Sequence, residues 1–261
     1  MRRNHVKISR WSVVLGAWCI LGAFTHAQAQ RSVPAAPKTA REQAPIDLTG
    51  YWISVVTQDW RWRMLTPAKG DYASVPLNAE GRKLADAWDP AKDEAAGNQC
   101  KAYGAAAIMR VPGRLHISWR DDQTLQIDTE AGGQTRLVHF RGSSAPRGDK
   151  LQWQGDSSGQ WEIVRGGSRF QARGAAQSGD LKVVTTHMRP GYLRKNGVPY
   201  GGKTGMTEYF DVTMEPNGWR SLLLTTVIED PEYLTQTFLL TTPFRMLPDA
   251  SVWNPTPCTA R

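Results

Sequence analysis

Met206-Thr207-Glu208-Tyr209-Phe210-Asp211-Val212-Thr213-Met214 reads as a strand with two distinct faces. Side chains alternate sides along an extended chain, so Met206, Glu208, Phe210, Val212 and Met214 share one face, and Thr207, Tyr209, Asp211 and Thr213 share the other. The first face is apolar except for Glu208, a lone carboxylate in a hydrophobic row. A half-buried strand with an inward ionisable group is expected, and two readings follow. Either Glu208 is a general base whose pKa is raised in a dry chamber, or it forms an internal ion pair with an arginine such as Arg110, Arg136 or Arg194.

The same two-residue period recurs on either side. Residues 181–187 carry Leu181, Val183, Thr185 and His187 on one row, which places an imidazole at the cavity-facing end and makes His187 a candidate proton shuttle for Glu208. Further strand signals lie at 53–57, 115–119, 124–130, 135–140, 160–165, 167–172, 221–229 and 234–242, separated by Gly, Pro, Asp or Asn. Many short strands with turn-length links, and no helix–strand alternation, point to an all-β fold: an antiparallel barrel of about 8–10 strands. One short helix is expected from Asn78, its N-cap, to Trp88, with Glu80 in the first turn and Pro90 as its stop.

Two segments mix aromatic and cationic residues as ligand-binding surfaces do. Residues 187–200 form a long link carrying Tyr192, Arg194 and Tyr200, suited to clamping an aromatic or carboxylate-bearing molecule, although Asn196-Gly197 equally suits a hairpin turn. Trp60-Arg61-Trp62-Arg63-Met64 reads either as a strand with Trp60, Trp62 and Met64 inward and its arginines solvated, or as a stacked lid over a cavity. Trp60, Trp62 and Arg110 therefore join the candidate ligand-binding residues. Gly155-Asp156-Ser157-Ser158-Gly159 is not a nucleophile elbow, since its serines fall off the Gly-x-Ser-x-Gly spacing.

The N-terminus bears Arg2, Arg3, Lys7 and Arg10 without an acid, then an apolar run over 11–24 too short to span a bilayer, then Ala27 and Ala29 in the A-x-A pattern. A cleaved signal peptide over residues 1–30 and a periplasmic or secreted address are expected. Trp18 before Cys19 argues against lipid attachment, and His5 and Val6 depart from the usual twin-arginine signal. Removing four of 32 basic residues against 24 acidic ones leaves 28 to 24, so the formal charge of +8 falls to +4. The remaining cations are scattered, which argues against nucleic acid, and no membrane span is expected in the mature chain. No pattern sets an oligomeric state.

Residues 31–46, rich in Pro and Ala, read as a flexible leader to a single domain over 47–261. The remaining cysteines, Cys100 and Cys258, form an even pair in an oxidising space, most simply one disulfide. They and His116, His139 and His187 lack metal-ligand spacing, so neither a metal nor another cofactor is expected.

The opening Gly50-Tyr51-Trp52 resembles the first strand of the calycin barrels, the lipocalins among them. The chain also resembles a large group of exported, lipocalin-like bacterial proteins. The likeness is carried by Pro76-Leu77-Asn78-Ala79-Glu80-Gly81, Cys100 with Ile108-Met109, Trp161-Glu162, and Leu181-Lys182-Val183-Val184-Thr185-Thr186. It continues through Gly197-Val198-Pro199, Thr207-Glu208-Tyr209-Phe210 and Ile228-Glu229-Asp230-Pro231-Glu232-Tyr233. Where that group carries Gly-His-Ser, this chain has Gly155-Asp156-Ser157. The resemblance implies a barrel and export. Two functions are compatible with the residues: binding of a hydrophobic or aromatic small molecule in the barrel cavity, or cofactor-independent lyase, isomerase or cyclase chemistry using Glu208 and His187.

Overall fold

The computed structural model describes residues 38–141, 150–164 and 178–261. The signal segment and the strand expected at 167–172 lie outside them. In chain order the strands are β1 (Gly50–Ser54), β2 (Arg114–Asp121), β3 (Thr124–Thr129), β4 (Ala131–Gly132), β5 (Thr135–Phe140), β6 (Asp156–Val164) and β7 (Ser178–Thr186). They continue as β8 (Gly191–Arg194), β9 (Val198–Tyr200), β10 (Gly205–Met214), β11 (Arg220–Glu229), β12 (Phe238–Leu247) and β13 (Thr256–Pro257). The helices are α1 (Ala40–Gln43), α2 (Trp60–Arg63), α3 (Ala79–Asp86), α4 (Pro90–Ala95) and α5 (Ala105–Ile108), with a 3-10 turn at Lys101–Tyr103.

Nine strands close into a barrel in the order β1-β12-β11-β10-β7-β6-β5-β3-β2. An odd number of strands cannot alternate direction all the way round a closed ring, so at least one neighbouring pair must run parallel. That pair is β5–β6, with Val138 opposite Ser157 and Phe140 opposite Gly159. The expectation of a wholly antiparallel barrel is corrected here: local alternation shows that a strand exists but does not encode its direction relative to a neighbour.

The closed end lies at the β2–β3 turn. There α1 docks with its Thr39–Glu42 capping box, Ala40 N–H donates to Gln123 Oε1 (3.2 Å) and Trp161 Nε1–H donates to the Ala40 carbonyl (2.7 Å). Phe140 stacks on Trp161 at 5.3 Å behind it. Within the segment expected as a leader over 31–46, Ala40 is buried in the barrel's hydrophobic cluster and Ile46 packs against it, while residues 31–37 lie outside the described residues.

At the opposite end β1 leads to β2 through residues 55–113, and β7 leads to β10 through 187–204. Both insertions leave from the same rim, since β1 and β2 pair antiparallel, as do β7 and β10. Together they build a cap. Tyr72, Ala85, Leu193 and Val198 of the cap share one hydrophobic cluster with Met206 and Ile228 of the barrel. A second cluster, with Trp52, Ile127, Phe210 and Phe244, fills the barrel below. Each such fully buried side chain contributes roughly 1.5–3 kcal/mol.

Asn78 caps α3 as expected, its side chain accepting from Gly81 N–H (2.8 Å). Pro90 does not merely end that helix. It occupies the first turn of α4, where its missing N–H costs nothing, with Asp89 accepting from Ala91 N–H (3.1 Å). The segment 60–63 is helical, which corrects the strand reading: Trp60 and Met64 face solvent while Arg63 is buried.

The expected disulfide is present, with the Cα atoms of Cys100 and Cys258 5.1 Å apart across 158 residues of chain. It holds the tail that pairs β13 with β4 against the 3-10 turn of the cap. Loop-closure entropy for so long a span is worth about 5 kcal/mol. Reduction with excess dithiothreitol is expected to lower the urea midpoint substantially. An unchanged midpoint in the Cys100→Ser, Cys258→Ser double variant would show the bridge to be energetically idle.

Candidate functional site

Glu208 lies inside the barrel and is completely buried, as the alternation on β10 requires. It pairs with Arg136 of β5, which is 2 % exposed. The guanidinium also donates from Nε to Ser157 Oγ (2.9 Å) and from Nη2 to Thr185 Oγ1 (2.6 Å), and the two hydroxyls lie 2.9 Å apart. Four adjacent strands therefore converge on one polar layer.

His187 is not part of it, which corrects the expected pairing. The alternation of β7 places Leu181, Val183 and Thr185 inward, but His187 adopts a left-handed backbone with φ of 54°. That turn hands the inward position to Met188, which is fully buried, and leaves the imidazole on the outside. Its Nδ1 faces Asp156 Oδ2 at 3.4 Å and Thr186 Oγ1 at 3.0 Å. A carboxylate locked to a guanidinium inside and an imidazole outside do not constitute an acid–base pair.

Breaking a buried pair leaves an uncompensated charge, at a cost of about 3–5 kcal/mol. Glu208→Leu and Arg136→Met are each expected to destabilise by that order in urea denaturation. The double variant is expected to recover much of the loss. A double variant as unstable as the two single losses added together would refute the pairing.

The cap holds a different site. A cleft of about 40 Å³ is lined by Trp62 and Arg63 of α2, Leu65, Arg110, and Leu193 and Arg194 of β8. Of the residues expected to bind ligand, Trp62, Arg110 and Arg194 meet here. Trp60, Tyr192 and Tyr200 do not line it. Trp60 is 63 % exposed. Tyr192 donates to Asp93 Oδ2 (2.7 Å), and burial followed by that bond raises its pKa. Tyr200 is buried with its ring end against Gly104, where an added Cβ would meet the hydroxyl at 2.1 Å. Burial raises its pKa too.

Arg194 reaches the cleft through a bulge. The β8–β9 register shifts between Tyr192 and Arg194, so Leu193 and Arg194 are both buried although they are consecutive. The hairpin turns at Gly197, at φ of 82°, where a Cβ would strike Trp88 at 2.3 Å. Asn196 anchors the turn to the neighbouring loop by donating to the carbonyls of Ala68 and Asp71, both at 3.0 Å. The Arg194 guanidinium then lies 5.0 Å from the Trp62 ring centroid, a cation–π placement.

The charges in the cleft do not balance. Arg110 Nη2 pairs with Asp59 Oδ2 at 2.6 Å. Arg63 donates from Nε to the Arg110 carbonyl (3.0 Å) and from Nη1 toward the Val55 carbonyl (3.5 Å), leaving Nη2 without an acceptor among the described residues. Among the described residues, Arg194 has no acceptor on either Nη1 or Nη2. Arg63 is 8 % exposed and Arg194 7 %. Burial, followed by repulsion from Arg110, depresses the pKa of each to about 10, and burial also lowers that of Arg110. At neutral pH all three remain cations.

Asp71 is already engaged. Trp62 Nε1 donates to its Oδ1 (3.1 Å) and Arg61 Nη2 to its Oδ2 (2.8 Å); the Trp62 bond is the largest cause of its lowered pKa. Arg63 was the residue sequence reasoning missed. Arginines in an aromatic–cationic run are ordinarily solvated, and only the helical twist of 60–63 turns this one inward.

The described residues contain no group of three or more His, Cys, Asp or Glu able to hold a metal ion, and no helix among them is long and apolar enough to cross a membrane. No known protein family, curated protein or solved structure matches the chain.

Proposed function

We propose that the protein is exported and binds a small molecule with an apolar or aromatic body and an anionic group, the latter entering the cap cleft at Arg194. The reading rests on one observation: a buried guanidinium over Trp62 whose two terminal nitrogens have no acceptor among the described residues. An unmatched buried charge costs several kcal/mol, and an unsatisfied buried donor about 1–3 kcal/mol. Such strain is retained where a ligand supplies the missing partner.

Size refines the reading. A pocket that encloses a whole drug-sized ligand measures about 300–1,000 Å³, whereas this cleft measures about 40 Å³. It suits one anionic head group, with the body resting outside near Leu65, which is 74 % exposed. The barrel interior, filled by Trp52, Phe210, Phe244 and their neighbours, is the less suitable place. The Gly50-Tyr51-Trp52 opening on β1 and the barrel's closure support kinship with lipocalin-like exported proteins. The disulfide supports an oxidising compartment.

Isothermal titration of the mature, oxidised protein with arylcarboxylates should detect binding, accompanied by a change in tryptophan fluorescence. Arg194→Gln should weaken it by about 10–100-fold, the value of one charge-assisted hydrogen bond. Equal affinity in the variant would remove Arg194 from the site.

A further inference from the structure

We infer that the anionic group taken by this cleft is a dianion with three terminal oxygens, of the phosphate monoester type. The inference rests on the cap cleft being a binding site and specifies its ligand. It comes from the match between donors and charges on the cleft wall.

Three guanidinium groups, those of Arg63, Arg110 and Arg194, line the cleft. Asp59 neutralises Arg110, and Asp71, the other nearby carboxylate, is held by Arg61 and Trp62. Arg61, Arg63, Arg110 and Arg194 thus face only Asp59 and Asp71 here, an excess of two positive charges; Asp59 attracts Arg63 and Arg194, and Asp71 attracts Arg194, without pairing with them directly. Three terminal nitrogens on the cleft wall lack an acceptor among the described residues: Nη2 of Arg63 and both Nη atoms of Arg194. Lys195 adds a further cation on the lining, its Nζ within 3.3 Å of Thr259 Oγ1.

A carboxylate brings one negative charge and two oxygens, so it would leave one guanidinium uncompensated. A sulfonate brings three oxygens but still a single charge. A phosphate monoester above its second pKa, about 6, brings nearly two charges and three strong acceptor oxygens. Planar guanidinium groups suit such oxygens because their paired N–H bonds accommodate bidentate contact. The small volume favours the same conclusion, since the phosphoryl group can enter while the esterified body remains at the rim.

The test compares phenyl phosphate, phenylsulfonate, benzoate and benzamide by isothermal titration on the mature, oxidised wild-type protein. At pH 7.5 phenyl phosphate should bind at least tenfold tighter than either monoanion, and benzamide should not bind. Lowering the pH to 5 protonates the phosphate to a monoanion, so its advantage over phenylsulfonate should vanish. Arg63→Gln should erase the same advantage at pH 7.5, and circular dichroism would verify that the variant is folded.

Phenylsulfonate or benzoate binding as tightly as phenyl phosphate at pH 7.5 would overturn the dianion while leaving the cleft as a binding site. Failure of all the aryl anions to bind would remove the site itself. Flotation with phosphatidylcholine vesicles containing phosphatidic acid, but not with phosphatidylcholine alone, would support the inference with a lipid as the ester's source. Tight phenyl phosphate binding without flotation would support it with a soluble source.

Discussion

Across the middle of the barrel, Arg136 of β5 reaches Ser157 of β6, Thr185 of β7 and Glu208 of β10. This layer lies between two apolar clusters. On β10, Phe210 belongs to the lower cluster and Met206 to the upper, with Glu208 between them. On β11, Thr226 separates Leu224 from Ile228, and on β12, Thr242 separates Phe244 from Leu240. A one-residue slip of any of these strands would turn its polar member to the outside and leave a charge or hydroxyl below without its partner. Apolar side chains alone tolerate exchange, whereas a buried ion pair penalises every register but one. The layer thus makes the barrel's alignment specific, and it spans the parallel pair β5–β6, where pairing is slightly weaker per residue.

Register at the barrel determines geometry at the cap. β7 must end beside the start of β10 for residues 187–204 to leave and return at one rim, and β1 must stand beside β2 for 55–113 to do likewise. The two insertions then meet through a few polar ties: Asn196 to the 68–71 loop, and Tyr192 to Asp93 and Lys101. The Cys100–Cys258 bridge ties the C-terminal tail to the same cap. Backbone anchored at several points around the cleft can hold buried cations in place without a counter-ion. A freely moving loop would turn the same arginines out to water.

Where local alternation decides the outcome, the structure was legible in the sequence. The two faces of 206–214, the helix N-cap at Asn78 and the burial of Glu208 all follow from period and composition. The Cys100–Cys258 pairing followed from the even count left when Cys19 is set aside with the expected signal segment. What escaped depends on single backbone angles or on long-range return. His187 leaves the inner row because one φ turns positive, and Arg194 enters the buried side because one residue is inserted in a ladder. Neither event alters residue type or spacing. Trp60–Arg63 carries a two-residue alternation, yet it forms a single helical turn after Asp59, whose φ of 53° redirects the chain. The side chain of Asp59 does not cap that helix; it pairs with Arg110 instead.

The location of the cleft follows from the same physics. Inside a barrel packed with aromatic and aliphatic side chains, Arg136 pairs with Glu208 and donates to Ser157 and Thr185, while Arg136 Nη1 and Glu208 Oε1 have no hydrogen-bond partner among the described residues. Among the described residues, α1 and Trp161 lie over one end of the barrel and the cap over the other. The cationic cleft lies instead where chain is added without disturbing the strands, namely in the two insertions. Residues 60–65 and 193–195 come from different insertions, and 110–112 lead directly into β2. The cations are thereby referenced to the rigid barrel through β2 on one side and the β8–β9 hairpin on the other. Their spacing is set by the fold itself, and under the anion-binding proposal preorganisation of this kind would spare binding energy from ordering the cleft's own side chains.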